Sequence, residues 1–395
     1  MSEFLDSNVC ISLRNTVNES NLFNSDDKYK KEYFNLICAS MDRLDSSINY
    51  LNNNSNYPET EEEFIFFLTY VDMIVESVRN LFKNQNISSQ FDKSYIGDDK
   101  YTFFGNVEIT NPKSLEFQKS GLNNITNKIM QASDIEFFKY VRALSLAHFC
   151  GTNRHDKFLI ESETQYSPFV LANNKGSFFN GIKDPVGVMV YSNKMDGQFF
   201  ILFSFKNLKE FTKYIYNLLN LLIEHNKKII NEFDEESKKQ KINRTLNYLE
   251  ILNEINKKLK ERYIDLDVDD CIKVLEYKTK NKLNNESVSK LKSVIVSNIN
   301  LMCDAVDNLD YSELSRLLDI TVHLQPKNKY SQLHYQLEKI LCWTDENWAR
   351  IQAKAFSQEF AKKWVAIDSE TMSKDEIQLL CRTACYYEAK FQKEN

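Results

Sequence analysis

The chain contains eight glycines, and all of them fall between Gly97 and Gly197. An average composition of ~7% would supply roughly 28 in a chain of this length. Beyond residue 233 there is no glycine and a single proline, Pro326. This distribution excludes collagen-like and linker-dominated architectures, and it excludes a Gly-rich nucleotide cradle over most of the sequence. A hydrophobic content of 42%, of which aromatics make up 13 percentage points, excludes global disorder. The expected fold class is therefore mainly α, with one irregular middle section.

Periodicity assigns the parts. Residues 25–51 read as a helix with Tyr33, Phe34, Ile37, Met41 and Leu44 at 3–4 spacing. Thr60 and Glu63 form a capping-box pattern before a stripe of Phe67, Val71, Ile74, Val78 and Leu81. Ser133 and Glu136 open another helix, predicted to run to about Phe149. The pattern then changes to strands, at 157–160, 166–171, 186–192 and 198–205, the last two joined by a turn containing Asp196-Gly197. Asn207 with Glu210 is expected to cap a helix continuing to about Phe233. Helices are then predicted near 241–262, 268–280, 286–306, 311–323, 329–342, 345–365 and 374–391. The expected organisation is a helical domain over 1–235 with a β insertion at about 157–205, followed by an all-helical domain over 236–395.

The formal charge of −6 argues against a surface that grips nucleic acid everywhere, and leaves room for a local basic site. The richest apolar run, residues 64–75, is too short to span a bilayer and contains Asp72. Met1–Asn8 carries two acids and no base, unlike a signal peptide. The eight cysteines lack CxxC spacing and read as reduced, mostly buried thiols. A cytoplasmic protein without membrane association is expected.

The chemically suggestive segment runs from Phe138 to His155. Arg142 and His148 lie six apart on the last part of a helix, ~120° apart around an ideal α-helical axis. An imidazole can take the proton of a ribose 2′-hydroxyl near neutral pH. A guanidinium can hold the phosphate and stabilise its developing charge. No metal or other cofactor is required. Asn153, Arg154 and His155 follow and are candidates for binding phosphate or base. The structural alternatives are a core histidine continuing the stripe Phe137, Val141, Leu144, and an Arg142 that pairs with an acid on a neighbouring helix.

Arg-x5-His late in a helix, inside a helical domain entered by an acidic-capped apolar helix, resembles the HEPN superfamily. The likeness covers roughly residues 60–233. It implies a helical-bundle domain and metal-independent RNA endonuclease activity in bacterial defence or toxin-like systems. It also implies a homodimer, with RNA as substrate, and products ending in a 2′,3′-cyclic phosphate and a 5′-hydroxyl. Arg142 and His148 would be catalytic, and the C-terminal domain would offer a surface to a regulatory protein partner. Ala143 stands where active members usually carry a polar residue. That leaves open a second reading, a non-catalytic helical interaction or sensor protein.

Two further patterns point to structure rather than to a metal. Asp265, Asp267, Asp269 and Glu276 match positions of a calcium loop, but Asp270 replaces the turn glycine, and a capped helix start accounts for the acids. Cys381 and Cys385 lack the second pair that zinc needs. Trp343, Trp348 and Trp364 are expected in a packed core.

Overall fold

A computed structural model describes residues 3–24, 28–84, 103–104, 107–110, 127–128, 131–147, 158–159, 163–172, 175–179, 181–194 and 198–394. The chain is mainly helical with a small antiparallel sheet, as its periodicity predicts. It divides into two compact units, Met1–Ile229 and Ile230–Asn395.

The first unit contains α1 (Ser7–Asn18), α2 (Lys28–Asn53), α3 (Glu61–Asn84), α4 (Asp134–Arg142) and α5 (Phe205–Asn217). The helix α6 (Leu219–Lys239) spans the division between the units. The three glutamates of its first turn favour the positive end of α3. One face of α3 is fully buried through Phe64, Leu68, Val71, Ile74, Val75, Val78 and Leu81. The capping box of α4 forms as expected: Glu136 N donates to Ser133 Oγ, and Ser133 N donates to Glu136 Oε2.

The sheet is built on a hairpin of β6 (Pro185–Ser192) and β7 (Gln198–Ser204). A strand β1 (Glu108–Thr110) extends it beside β7, while β2 (Gln165–Tyr166) and β3 (Val170–Leu171) both pair with β6. A separate hairpin joins β4 (Phe178–Phe179) to β5 (Ile182–Lys183). Val186, Val188, Val190, Phe199, Ile201 and Phe203 are buried. Phe104, Phe137, Phe203 and Phe211 form an aromatic cluster, with centroid separations of 4.9–5.6 Å. The buried Asp134 carboxylate accepts hydrogen bonds from the backbone N–H of Phe103 and Phe104, so the start of α4 holds that segment against the cluster.

Several boundaries differ from the periodicity. Only Phe158 and Leu159 of the 157–160 strand prediction lie among the described residues, and they form a turn and bend. The 166–171 strand is two short strands separated at Ser167–Phe169, where Pro168 cannot donate to a ladder. β1 is too short to show a period. The predicted Asn207 cap is replaced: α5 begins at Phe205, directly from β7, and Ser204 makes no side-chain cap bond. The helix from Ser133 is α-helical only to Arg142, and Ala143–Ala147 form a π-helical turn.

The second unit is all-helical: α7 (Tyr248–Glu261), α8 (Asp269–Glu276), α9 (Asn285–Asp307), α10 (Tyr311–Asp319), α11 (His334–Cys342), α12 (Glu346–Glu359) and α13 (Lys374–Glu394). The predicted start at 241 moves to Tyr248 because Asn247 and Glu250 make a complete capping box there. The prediction over 329–342 contains a 3₁₀ segment, Asn328–Leu333, before α11. The prediction over 345–365 ends its α-helix at Glu359, followed by a 3₁₀ turn. The apolar faces of these helices share one core, including Leu252, Leu291, Ile295, Leu317, Phe356 and Leu380. Trp343 and Trp364 pack partly against it, whereas Trp348 is exposed.

Candidate functional site

Charged side chains of α3 and α4 meet in a seam. Asp72, Glu76 and Arg79 stand at i, i+4 and i+7 on α3, and Lys139 and Arg142 at i and i+3 on α4. Arg142 Nη1 donates to Asp72 Oδ2 at 3.0 Å, with the two side chains 31% and 20% exposed. The contact is one-pronged. Arg142 Nε and Asp72 Oδ1 are both buried and have no hydrogen-bond partner among the described residues. Each such deficit costs roughly 1–3 kcal/mol, and native proteins tolerate few of them.

Burial sets the electrostatics of the seam. It pushes the Asp72 carboxyl above its ordinary value, and the opposing pull of Arg142 does not cancel this. It pushes the Lys139 ammonium down, helped by the charge of Arg79. Glu76 and Arg79 form their own pair at 3.3 Å on α3.

The π-turn begins at the residue after Arg142. Its wider i→i+5 turn replaces the 3.6-residue geometry of an ideal α-helix, and such turns occur often at functional sites. Ala143 and Leu144 are buried within it, and Ser145 Oγ donates back to Val141 O at 2.8 Å. His148, Asn153, Arg154 and His155 lie outside the described residues. Of the predicted site residues, Arg142 alone is placed, and the structure brings it to Asp72. Sequence reading singled out no role for Asp72, although a carboxylate inside the richest apolar run was the available signal.

Comparison with family models, curated proteins and solved structures finds no match.

Three acids in the calcium-loop segment have separate partners. Asp270 pairs with Arg382 at 2.6 Å and Lys273 at 3.3 Å, Asp269 accepts from Asn256, and Asp267 accepts from Asp269 N. Cys381 and Cys385 are buried, and burial pushes the Cys385 thiol up to about 12. Among the described residues no cluster of His, Cys, Asp and Glu is arranged to hold a metal ion. No helix among them is long and apolar enough to cross a membrane.

Proposed function

We propose that this protein is a metal-independent RNA endonuclease of a bacterial defence or toxin-like system, acting in the cytoplasm as a homodimer. Arg142 holds the scissile phosphate. His148 removes the proton from the 2′-hydroxyl, whose oxygen attacks phosphorus. The 5′-oxygen of the next nucleotide departs and takes a proton from water, leaving a 2′,3′-cyclic phosphate and a 5′-hydroxyl. Asn153, Arg154 and His155 bind the RNA beside the reacting phosphate. The C-terminal unit receives a regulatory protein partner.

The observation supporting this reading is the unfinished state of Arg142. A partly exposed guanidinium with one carboxylate contact, an unpartnered Nε and a π-turn directly after it departs from ordinary structural pairing. A guanidinium carries five N–H donors, and beyond the one given to Asp72 it can offer charge-assisted hydrogen bonds to a phosphate oxygen. The Asp72 contact is also the observation favouring the second reading, a non-catalytic HEPN-derived interaction protein, because it ties α3 to α4 without any ligand.

Inducible expression separates them. Wild-type protein is expected to arrest growth and fragment cellular RNA, and His148→Ala is expected to do neither. Equal growth and intact RNA in both strains contradict the nuclease reading.

A further inference from the structure

The charges of the seam between α3 and α4 do not close. Arg142 pairs with Asp72, and Arg79 pairs with Glu76, which leaves Lys139. This side chain is half-buried, and its ammonium makes no hydrogen bond or ion pair within 4 Å among the described residues. The charged groups that face it are Arg79 and Arg142, which repel it, and Glu76 and Asp72, which attract it. Three cations therefore share two carboxylates, an excess of one positive charge in a chain of net charge −6. The other acids of α4 are engaged elsewhere. Glu136 Oε2 accepts from Ser133 N, and the Asp134 carboxylate accepts from the N–H groups of Phe103 and Phe104.

A lysine in the last turn of a helix ordinarily meets the open carbonyls there. Here the helix does not stop: α4 runs into the π-turn, and Ala143 N donates to the carbonyls of Lys139 and Tyr140. Partial burial of a charge without a counter-ion is unfavourable, and burial pushes the Lys139 ammonium below its ordinary value. The missing partner is an anion.

Lys139 and Arg142 are placed to share one. Three residues turn an α-helix by 300°, so the two Cα atoms stand ~60° apart around the axis and ~4.5 Å apart along it. Arg142 gives one of its donors to Asp72, and its Nε is buried without a partner among the described residues. The ammonium of Lys139 carries three donors. A phosphate has separate nonbridging oxygens for the two groups, and its charge meets the excess of the seam.

We infer that Lys139 is a second phosphate-binding residue of the Arg142–His148 site, its ammonium meeting a nonbridging oxygen of the phosphate that Arg142 holds. This role rests on the cleavage reading and adds no bond-making step to it. The phosphoryl oxygens gain negative charge as the 2′-oxygen attacks, and a fixed ammonium beside them stabilises that charge.

The test is fluorescence anisotropy of an unstructured, fluorescein-labelled RNA 12-mer at several salt concentrations, with full-length His148→Ala protein so that the RNA persists. Adding Lys139→Gln is expected to weaken binding at least about tenfold, the scale of one charge-assisted hydrogen bond. The slope of log affinity against log salt is expected to become shallower by ~0.7, the change for one phosphate contact on a single strand. Adding Lys139→Arg instead keeps the charge, and it is expected to keep the slope and hold affinity within about threefold. Removing an unpaired charge costs the fold nothing, so Lys139→Gln is expected to melt no lower than its parent. The assignment is overturned if the His148→Ala protein binds no RNA, or if the glutamine variant keeps both affinity and slope. It is equally overturned if the arginine variant loses as much as the glutamine one, or if the glutamine variant melts lower, as a structural lysine would require. Unchanged binding in the glutamine variant, beside cleavage that still needs Arg142 and His148, removes the role of Lys139 alone. Binding that depends on Lys139, beside cleavage indifferent to those two residues, removes the nuclease reading alone.

Discussion

Asp72 shows how one residue shifts the meaning of a motif. In the sequence it only interrupts an apolar run, and nothing local says which side chain it meets, because its partner is 70 residues away on another helix. The structure makes it the group that holds Arg142, at the expense of burying a carboxylate. The consequence for stability has a definite sign. With the folded pKa raised above the unfolded one, the native chain binds more protons than the unfolded chain between the two values. Asp72 therefore contributes stability that is fully present below the ordinary carboxylate value and is lost as pH rises through the raised one. Urea unfolding of wild type and Asp72→Asn across this range is expected to show the wild type losing stability relative to the variant as pH rises. A constant difference, or one of opposite slope, contradicts the assignment. By contrast, Ser133 and Glu136 were legible three residues apart, because a capping box is local and each partner satisfies the other.

At the scale of elements, legibility followed the length of the pattern. The β6–β7 hairpin and the long helices α3 and α9 carry enough repeats to declare themselves. β1, with three residues, does not, since its place is set by β7, and the 166–171 prediction merges β3 and the end of β2 into one strand. The π-turn at Ala143–Ala147 was equally hidden: its residues read as a continuing α-helix. One glycine in this region has a defined steric task. Gly187 sits in β6 opposite Leu202, and a Cβ built on it would lie 1.9 Å from Ile201 O. The obstacle is backbone of the partner strand, so it cannot swing aside. Gly187→Ala is expected to destabilise the first unit by about 1–3 kcal/mol, the usual range for overpacking. For a unit of this size that lowers its melting temperature by roughly 2–12 °C. Thermal unfolding followed by circular dichroism reads this directly, and an unchanged transition shows that β6 and β7 do not approach so closely.

For the whole molecule, the glycines mark one section of the first unit, and its helices α1, α2, α3 and α5 contain none. The glycine-free part of the chain beyond residue 198 supplies α5, α6 and the entire second unit, whose helices are packed by apolar faces. The glycine-bearing part supplies the strands β1 to β6 and the segment that follows Arg142, while β7 begins directly after the last glycine. Fold class was therefore legible from composition and period, because both act on every residue. The candidate site was legible only as residue types at a spacing. Its partner Asp72 comes from a helix distant in sequence, and its π-turn departs from the α-helical period its residues suggest. The central claim is that Arg142 and His148 together cleave RNA without a metal. Purified full-length protein incubated with single-stranded RNA in excess chelator tests it most directly. Fragments ending in a 2′,3′-cyclic phosphate and a 5′-hydroxyl are expected, with rates reduced at least about 100-fold in Arg142→Ala and in His148→Ala. RNA left intact by the wild type, or cleaved equally by both variants, contradicts it.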